Sequence, residues 1–236
     1  MDFYEKNFKA FSDTRHCLWR SVEEFSRSFN ESSIVLDAGC GNGKNMKHLE
    51  GNVGEIIGFD SCKNFVRLCK EKCLNVIEGD IRTIPYCDEK FDFIFCWMKI
   101  SNLDPEILDN LTTQCYEHLN PGGVIIWGVY MREVALNYFI VRRTHEYGMV
   151  ESQLIESSEN CKWLTLIDND VVHIDVDRVP TSGEDACLES THYSIFWEND
   201  ALTNRLSNLL PDAEVVTRRL PPMWSIQNPM VIKKSA

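Results

Sequence analysis

Three segments of the sequence place acidic residues and glycines where they could hold a ligand. Asp37 precedes glycines at positions 39, 41 and 43 in the segment SIVLDAGCGNGKN. Asp60 closes the apolar segment EIIGFD, and Asp80 follows glycine in LNVIEGD. Glycine adopts backbone angles closed to other residues and lets a ligand approach the main chain. A lone acid at a strand end is usually a solvated loop residue, but three at successive strand ends predict a binding site.

The spacing indicates which ligand this site would take. A dinucleotide fingerprint spaces its glycines G-x-G-x-x-G and presents a pyrophosphate to a helix N-terminus, whereas this turn reads G-x-G-x-G. Asp37 would repel a phosphate but could attract an amino-acid-like cation. Asp60 could accept hydrogen bonds from both ribose hydroxyls, and Asp80 from an adenine amino group whose ring Ile81 covers. These expectations favour S-adenosylmethionine over a nucleotide phosphate.

The elements that must position these residues alternate between strands and helices. Apolar runs predict strands at 34–36, 55–60, 74–80, 91–97 and 124–130, with helices between them. This order predicts an α/β fold with a doubly wound, mostly parallel sheet. A β-hairpin is expected after the fifth strand, where KWLTLIDNDVVHIDV reads as two strands around residues 168–170.

Length and composition suit one domain with several parts. The 236 residues are 44% hydrophobic and 25% charged, which is ordinary for a globular protein. We expect a helical N-terminal lid at 1–32, a cofactor-binding core at 33–130, a hairpin insertion at 131–192 and a C-terminal strand–helix–strand unit at 193–236. No apolar run approaches the roughly 20 residues of a membrane span, and the charged N-terminus is unlike a signal peptide. The ten scattered cysteines fit free thiols in the reducing cytoplasm, with no metal site.

Residues Ser33 to Tyr130 resemble the class I S-adenosylmethionine-dependent methyltransferases, which have a Rossmann-like fold. The matching motifs are the glycine turn after Asp37, the acids at 60 and 80, Phe91-Asp92, and the segment LNPGG at 119–123. The predicted cofactor-binding residues are Asp37, Gly39, Cys40, Gly41, Gly43, Asp60, Ser61, Asp80, Ile81 and Cys96.

A narrower resemblance lies outside this core. The segment AFSDTRHCLWRSVEEF is similar to the opening of the eukaryotic tRNA wobble-uridine carboxymethyl methyltransferases, on Phe11, Ser12, Thr14, Arg15 and Trp19. The segments CGNGKN and HYSIFWENDALTNRL also resemble this family. The resemblance implies methyl transfer to the carboxylate of 5-carboxymethyluridine at tRNA position 34.

The same resemblance suggests residues that contact the substrate. Arg15 could hold the substrate carboxylate or a phosphate by a forked contact, although it could instead lie over Trp19 as a surface arginine. Where the family usually has two histidines, this chain has Ser101 and Asn102, which do not titrate near neutrality. Tyr130 could stack a base. Trp97 and Trp127 are interpreted as core packing.

The partners implied by the resemblance are tRNA and a small zinc-binding activator protein that docks along a sheet edge. Residues 55–59 could be that edge, unless this strand is internal. The net charge of −12 argues against unaided nucleic-acid binding. Phosphate contacts would then depend on the partner or on the basic pairs at 142–143, 218–219 and 233–234. Two alternatives remain open: a small-molecule methyltransferase and a catalytically silent binding module with the same fold.

Overall fold

The computed structural model describes residues 2–13, 15, 18, 20–86, 88–97, 103, 105–130, 166–168, 171–176, 192–197, 201–218 and 227–236. The helices are α1 (Asp2–Asp13), α2 (Arg20–Ser26), α3 (Lys44–Leu49), α4 (Lys63–Glu71), α5 (Pro105–Glu117) and α6 (Ala201–Leu209). The strands are β1 (Ile34–Ala38), β2 (Glu55–Asp60), β3 (Val76–Glu78), β4 (Phe91–Trp97), β5 (Leu119–Tyr130), β6 (Leu166–Asp168), β7 (Val171–Val176), β8 (His192–Trp197), β9 (Ala213–Thr217) and β10 (Gln227–Lys234).

Seven strands form one sheet in the order β3-β2-β1-β4-β5-β10-β9. The first five strands of this order run parallel to their neighbours, while β10 is antiparallel to both β5 and β9. The chain order reverses between β1 and β4, and ligands of such sheets bind beyond the carboxyl ends of the strands at this point. The predicted α/β fold with a mostly parallel sheet is confirmed.

Helices cover both faces of this sheet because its central strands are apolar on both sides. Leu36 of β1 packs in a cluster that includes Leu108 of α5 and Leu202 of α6. The neighbouring Val35 points to the other face, where it packs with Phe25 of α2 and Trp97 of β4. Asp92 joins the beginnings of three strands, since its Oδ2 accepts from the N–H of Ile34 at 2.9 Å and its Oδ1 from the side chain of Asn120 at 2.9 Å.

A second sheet holds the strands β6, β7 and β8, all antiparallel. Strands β6 and β7 flank residues 169–170, where the sequence predicts the hairpin turn. The turn itself and most of the predicted insertion at 131–192 lie outside the described residues. No helix in the described part of the chain has the length and apolar character needed to cross a membrane.

Strand β2 lies between β1 and β3, so the hypothesis that residues 55–59 form a free docking edge is wrong. A parallel strand that is buried on both sides reads as an uninterrupted apolar run. The run EIIGF therefore indicates an internal strand as readily as an apolar edge. The edges of the seven-stranded sheet are β3 and β9.

Candidate cofactor-binding site

The glycine turn connects β1 to α3, and its glycines have left-handed backbone angles. Gly41 has a φ of 55°, and a Cβ built there would meet nothing within 4 Å. Gly43 has a φ of 71°, and its Cβ would lie 2.8 Å from Sγ of Cys69 and 2.5 Å from Leu74. Gly43 is therefore required for packing against α4, whereas Gly41 is required by its backbone angle and leaves its surroundings open to a ligand.

Asp60 supports this turn from the end of β2. Its Oδ2 accepts a hydrogen bond from the N–H of Gly41 at 2.9 Å, and its Oδ1 accepts from the N–H of Cys62 at 2.8 Å. The side chain is only 6% exposed but still lines the cleft beside the turn. Because each carboxylate oxygen can accept two hydrogen bonds, Asp60 keeps capacity for a ligand's hydroxyl groups.

Asp37 lies one step deeper, near the end of β1, and is 1% exposed. Its Oδ2 has no hydrogen-bond partner among the described residues. Burial raises the pKa of this carboxyl group well above its usual value, and negative charge on Cys69 and Asp60 adds to the effect. A buried acid that folding leaves unsatisfied is a frequent feature of functional sites.

Two thiols lie close to the same turn. Sγ of Cys69 is 3.2 Å from the carbonyl oxygen of Gly41, to which it can donate. The hydrogen bond with Cys69 and burial raise the pKa of Cys40 well above its usual value. Cys40 is therefore a neutral, buried thiol, and its contribution to the site is packing and backbone rather than nucleophilic chemistry.

The N-terminal helix covers the turn and is tied to it by Asn42. Nδ2 of Asn42 donates to the carbonyl oxygen of Arg15 at 3.0 Å and to Oγ of Ser12 at 3.2 Å. Farther along α1, Glu5 accepts from the N–H of Lys63 at 2.6 Å and from the side chain of Asn64 at 2.8 Å. These contacts join the N-terminal segment to the glycine turn and to the first turn of α4.

Aromatic side chains fill the space between α1 and α4. The rings of Tyr4 and Phe11 pack against Phe65 with centroid distances of 6.3 and 5.6 Å. The guanidinium of Arg15 lies 3.6 Å from the centroid of Phe11 and donates to the carbonyl oxygen of the same residue at 3.3 Å. Arg15 thus lies over the ring of Phe11. Trp19, over which one of the two sequence hypotheses placed it, lies outside the described residues.

One cleft is enclosed by these parts. Its walls come from α1, the glycine turn, the start of α3 and the ends of β2 and β4. The described lining residues are Tyr4, Phe11, Arg15, Gly39, Cys40, Gly41, Asn42, Lys44, Asn45, Asp60, Phe65 and Trp97. Two of them carry buried polar atoms with no partner in the described structure: Oδ1 of Asn45 and Nε1 of Trp97. The cleft therefore contains one hydrogen-bond acceptor and one donor that no described residue pairs with.

The structure brings together only some of the residues predicted from sequence. Gly39, Cys40, Gly41, Asp60 and Arg15 line the cleft. Other predicted cofactor residues are absent from its described lining: Asp37, Gly43, Ser61, Asp80, Ile81 and Cys96. Ser101 and Asn102 lie outside the described residues, and Tyr130 is the last residue of β5, paired with Gln227.

Three of these residues have structural contacts of their own. The carboxylate of Asp80 accepts from Arg82, at 3.0 Å from Nε and 2.6 Å from Nη2. Ile81 is 8% exposed and Cys96 is fully buried, and both belong to the main apolar core. Sequence reasoning missed Asn42 and Asn45 as site residues, although both lie within the segment CGNGKN that it had singled out.

The segment that contains the glycine turn and Asp60 is similar in sequence to a known family. Residues 35–123 match a family model described as a methyltransferase domain. This stretch of the chain is therefore similar to a methyltransferase domain. The matched range runs from β1 into β5 and includes the turn, Asp60 and Trp97. No group of three or more His, Cys, Asp or Glu side chains in the described ranges could hold a metal ion.

The chain is similar to curated proteins that are named as tRNA methyltransferases. It is 32% identical over 135 residues to a tRNA (carboxymethyluridine(34)-5-O)-methyltransferase of Arabidopsis thaliana, covering 55% of this chain and 32% of the relative. The enzyme of that name from Schizosaccharomyces pombe is 38% identical over 90 residues, 38% of each chain. A demethylmenaquinone methyltransferase of Staphylococcus carnosus is 25% identical over 131 residues, 52% of this chain and 54% of the relative. The chain thus spans about a third to a half of the length of these relatives.

Solved structures share the fold of nearly the whole chain. The glycopeptide N-methyltransferase MtfA superposes with a TM-score of 0.62 at 16% identity, over 92% of this chain and 90% of that one. The Rossmann-like fold of class I methyltransferases predicted from the sequence is thereby confirmed. The resemblance to the tRNA carboxymethyluridine methyltransferases is confirmed at the level of sequence similarity.

Proposed function

We propose that this protein transfers the methyl group of S-adenosylmethionine to the carboxylate of 5-carboxymethyluridine at the tRNA wobble position, giving the methyl ester. The observation that carries the proposal is the cleft at the β1–β4 switch point, lined by Gly39, Gly41 and Asp60. It lies within a methyltransferase domain whose relatives in a plant and a fungus are named for this reaction.

The residues present fit this cofactor. Asp60 has the free acceptor capacity that ribose hydroxyls require, and the bare backbone at Gly41 allows close approach. The unpartnered Oδ2 of Asp37 is the proposed acceptor for the ammonium group, directly or through water. Asp80 and Ile81 are the proposed contacts of the adenine. When bound, the cofactor supplies a methyl group on a positively charged sulfur.

The chain has little proton chemistry to perform in this reaction. A carboxylate has a pKa of about 4 and is already ionised at neutral pH, so it needs no general base. The contribution of the protein is to hold the two reactants in line and to exclude water, which can lower a barrier by several kcal/mol. Arg15 lines the cleft and is the proposed holder of the substrate carboxylate, with Ser101, Asn102 and Tyr130 as further proposed substrate contacts.

A zinc-binding activator protein and a cytoplasmic location belong to the same proposal. The chain carries 24 Lys and Arg against 36 Asp and Glu, so a partner that brings positive charge would assist tRNA binding. Since β2 is internal, the partner would dock at the β3 or the β9 edge of the sheet. The described cysteines are all free thiols, which suits a reducing compartment.

A small-molecule methyltransferase is the second candidate. The acidic surface and the similarity to a demethylmenaquinone methyltransferase both favour it. In this case the same cofactor contacts would serve an uncharged or apolar acceptor, and tRNA would not be methylated.

The test is transfer of labelled methyl from S-adenosylmethionine into total tRNA, with and without the zinc-binding partner, followed by nucleoside analysis. We expect label in one wobble nucleoside that mild alkali releases, because a methyl ester hydrolyses and an N-methyl group does not. Arg15→Gln should lower kcat/KM at least about tenfold, since a hydrogen bond to a charged group contributes about 1.5–3 kcal/mol.

Arg27→Gln is the matched control, because Arg27 is exposed and does not line the described cleft. Label found only in metabolites would establish the second candidate. Cofactor binding without transfer to any RNA or metabolite pool would indicate a silent binding module.

A further inference from the structure

Two buried polar atoms of the cleft lack partners in the described structure, and they differ in chemistry. Trp97 and Asn45 are each 5% exposed. Nε1 of Trp97 can only donate a hydrogen bond, and Oδ1 of Asn45 can only accept one. Buried polar groups are nearly always paired, so two unpaired atoms in one cleft indicate a ligand that supplies their partners.

Trp127 shows how the fold treats an indole that serves packing alone. It is fully buried in β5, and its Nε1 donates to Oγ1 of Thr112 at 3.3 Å. The chain thus satisfies one buried indole N–H internally. The other, Nε1 of Trp97 at the point where β4 meets the cleft, has no partner among the described residues.

The strand register places the two unpaired atoms relative to Asp60. Ala38 pairs with Phe59 and Asp37 pairs with Phe95, so Asp60 and Trp97 both lie level with Gly39 on opposite sides of β1. Asn45 belongs to the first turn of α3, directly after the glycine turn. A ligand whose ribose contacts Asp60 would therefore extend across the turn toward Trp97 and Asn45.

We propose that Trp97 and Asn45 bind the amino-acid end of S-adenosylmethionine. The indole N–H of Trp97 donates to the carboxylate, and Oδ1 of Asn45 accepts from the ammonium group. A zwitterionic amino acid matches a donor and an acceptor in one cleft, and the unpartnered Oδ2 of the buried Asp37 is a further acceptor near the glycine turn. This assignment rests on the proposed function, because it presupposes that cofactor.

Calorimetry with three related nucleosides tests each contact separately. S-Adenosylhomocysteine has both the carboxylate and the ammonium group, its decarboxylated analogue lacks only the carboxylate, and 5′-methylthioadenosine lacks both. Trp97→Phe should weaken binding of the first about tenfold and leave the other two unchanged. Asn45→Ala should weaken the first two and spare the third.

Trp127→Phe is the matched control, since it removes an indole N–H outside the described lining of the cleft. It should lower thermal stability and leave the affinity ratios of the three nucleosides unchanged. Equal losses for all three with Trp97→Phe, or no loss, would overturn the assignment. Failure of the unaltered protein to bind any of the three would instead refute the proposed function.

A second measurement needs no variant at the tested position. In ¹⁵N spectra of the unaltered protein, the indole N–H resonance of Trp97 should shift with S-adenosylhomocysteine and not with the decarboxylated analogue. Identical shifts with both compounds would count against a carboxylate contact, whatever the stability of the Trp97→Phe variant.

Discussion

Asp37 is a buried acid whose burial costs folding free energy, because one of its oxygens has no described hydrogen-bond partner. Its carboxyl group is 1% exposed, has an unpartnered oxygen among the described residues and has a raised pKa caused mainly by burial. Asp92 is the contrasting case. It lies near the beginning of β4, at the opposite end of that strand from the cleft, and both of its oxygens accept hydrogen bonds. Asp92 therefore serves the structure, whereas Asp37 is the acid proposed to serve a ligand.

Asp37→Asn should therefore stabilise the protein without ligand near neutral pH. The folded-state pKa is raised above the unfolded value of about 3.9, so the folded state holds the extra proton between these two pKa values. The stability contributed by the protonated acid is full below about pH 4 and is lost as the pH rises through the folded-state pKa. An asparagine does not ionise, so the variant avoids this loss of stability. Its Tm at pH 7 should be about 2–4 °C higher, the shift expected for a change of about 1 kcal/mol in the free energy of unfolding.

Thermal melts of both proteins from pH 4 to pH 8 would check this. The difference between them should vanish toward pH 4, and the variant should bind S-adenosylmethionine less tightly at pH 7. Asp92→Asn is the control and should lower Tm at pH 7. A Tm of Asp37→Asn below that of the unaltered protein at pH 7 would show that the buried charge has a structural partner.

Single residues also show how far the sequence predicts the site. The sequence predicts Asp60, Gly39 and Gly41 from their places at strand ends, and these three residues line the cleft. Trp97 was interpreted as core, because a tryptophan in an apolar strand reads the same whether its N–H is paired or not. Only the structure separates Trp97 from Trp127, since a missing hydrogen-bond partner depends on the packing of distant segments.

At the scale of elements, the coupling of α1 to the glycine turn is the least predictable feature. Strands β2 and β4 have the bounds predicted from their apolar runs, because local patterns specify a buried parallel strand well. Helix α1 reaches the cleft through contacts such as Asn42 to Ser12, thirty residues apart in sequence. No local pattern contains that information.

Asn42→Ala should release α1 from the cleft. Asn42 is 6% exposed and its amide makes two short hydrogen bonds to the N-terminal segment, each worth about 1 kcal/mol. Hydrogen exchange should therefore accelerate in residues 2–13, and the affinity for S-adenosylhomocysteine should fall about 5–30-fold.

Asn52→Ala is the matched control, since the side-chain amide of the exposed Asn52 donates to the carbonyl of His48 in the adjacent helix α3 and not to α1. Its exchange in residues 2–13 should equal that of the unaltered protein. If α1 in Asn42→Ala stayed equally protected, the aromatic contacts to Phe65 and the Glu5 contacts would be sufficient to hold it.

On the scale of the whole molecule, the net charge of −12 opposes the binding of tRNA, whose backbone is also negative. Some described basic residues are already engaged in the fold: Lys234 donates to the carbonyls of Tyr116 and Leu119 at 2.9 and 3.1 Å, and Arg205 pairs with both oxygens of Asp109 at 2.7 Å. Lys234 therefore contributes less to phosphate binding than the basic pair at 233–234 suggested. The pair at 142–143 and Arg219 lie outside the described residues.

The salt dependence of the tRNA affinity measures how many Lys and Arg side chains contact phosphates. Each phosphate contact adds about −0.7 to the slope of log K against log salt on single-stranded RNA. For an anticodon stem-loop we expect a slope shallower than about −2 with this chain alone, because net charge −12 repels the backbone. With the zinc-binding partner the slope should at least double and the affinity should rise.

Fluorescence anisotropy at salt concentrations from 25 to 200 mM, about an eightfold range, would measure both slopes. A flat affinity in both cases would mean that no phosphate is bound, and the acceptor would then be a small molecule rather than tRNA.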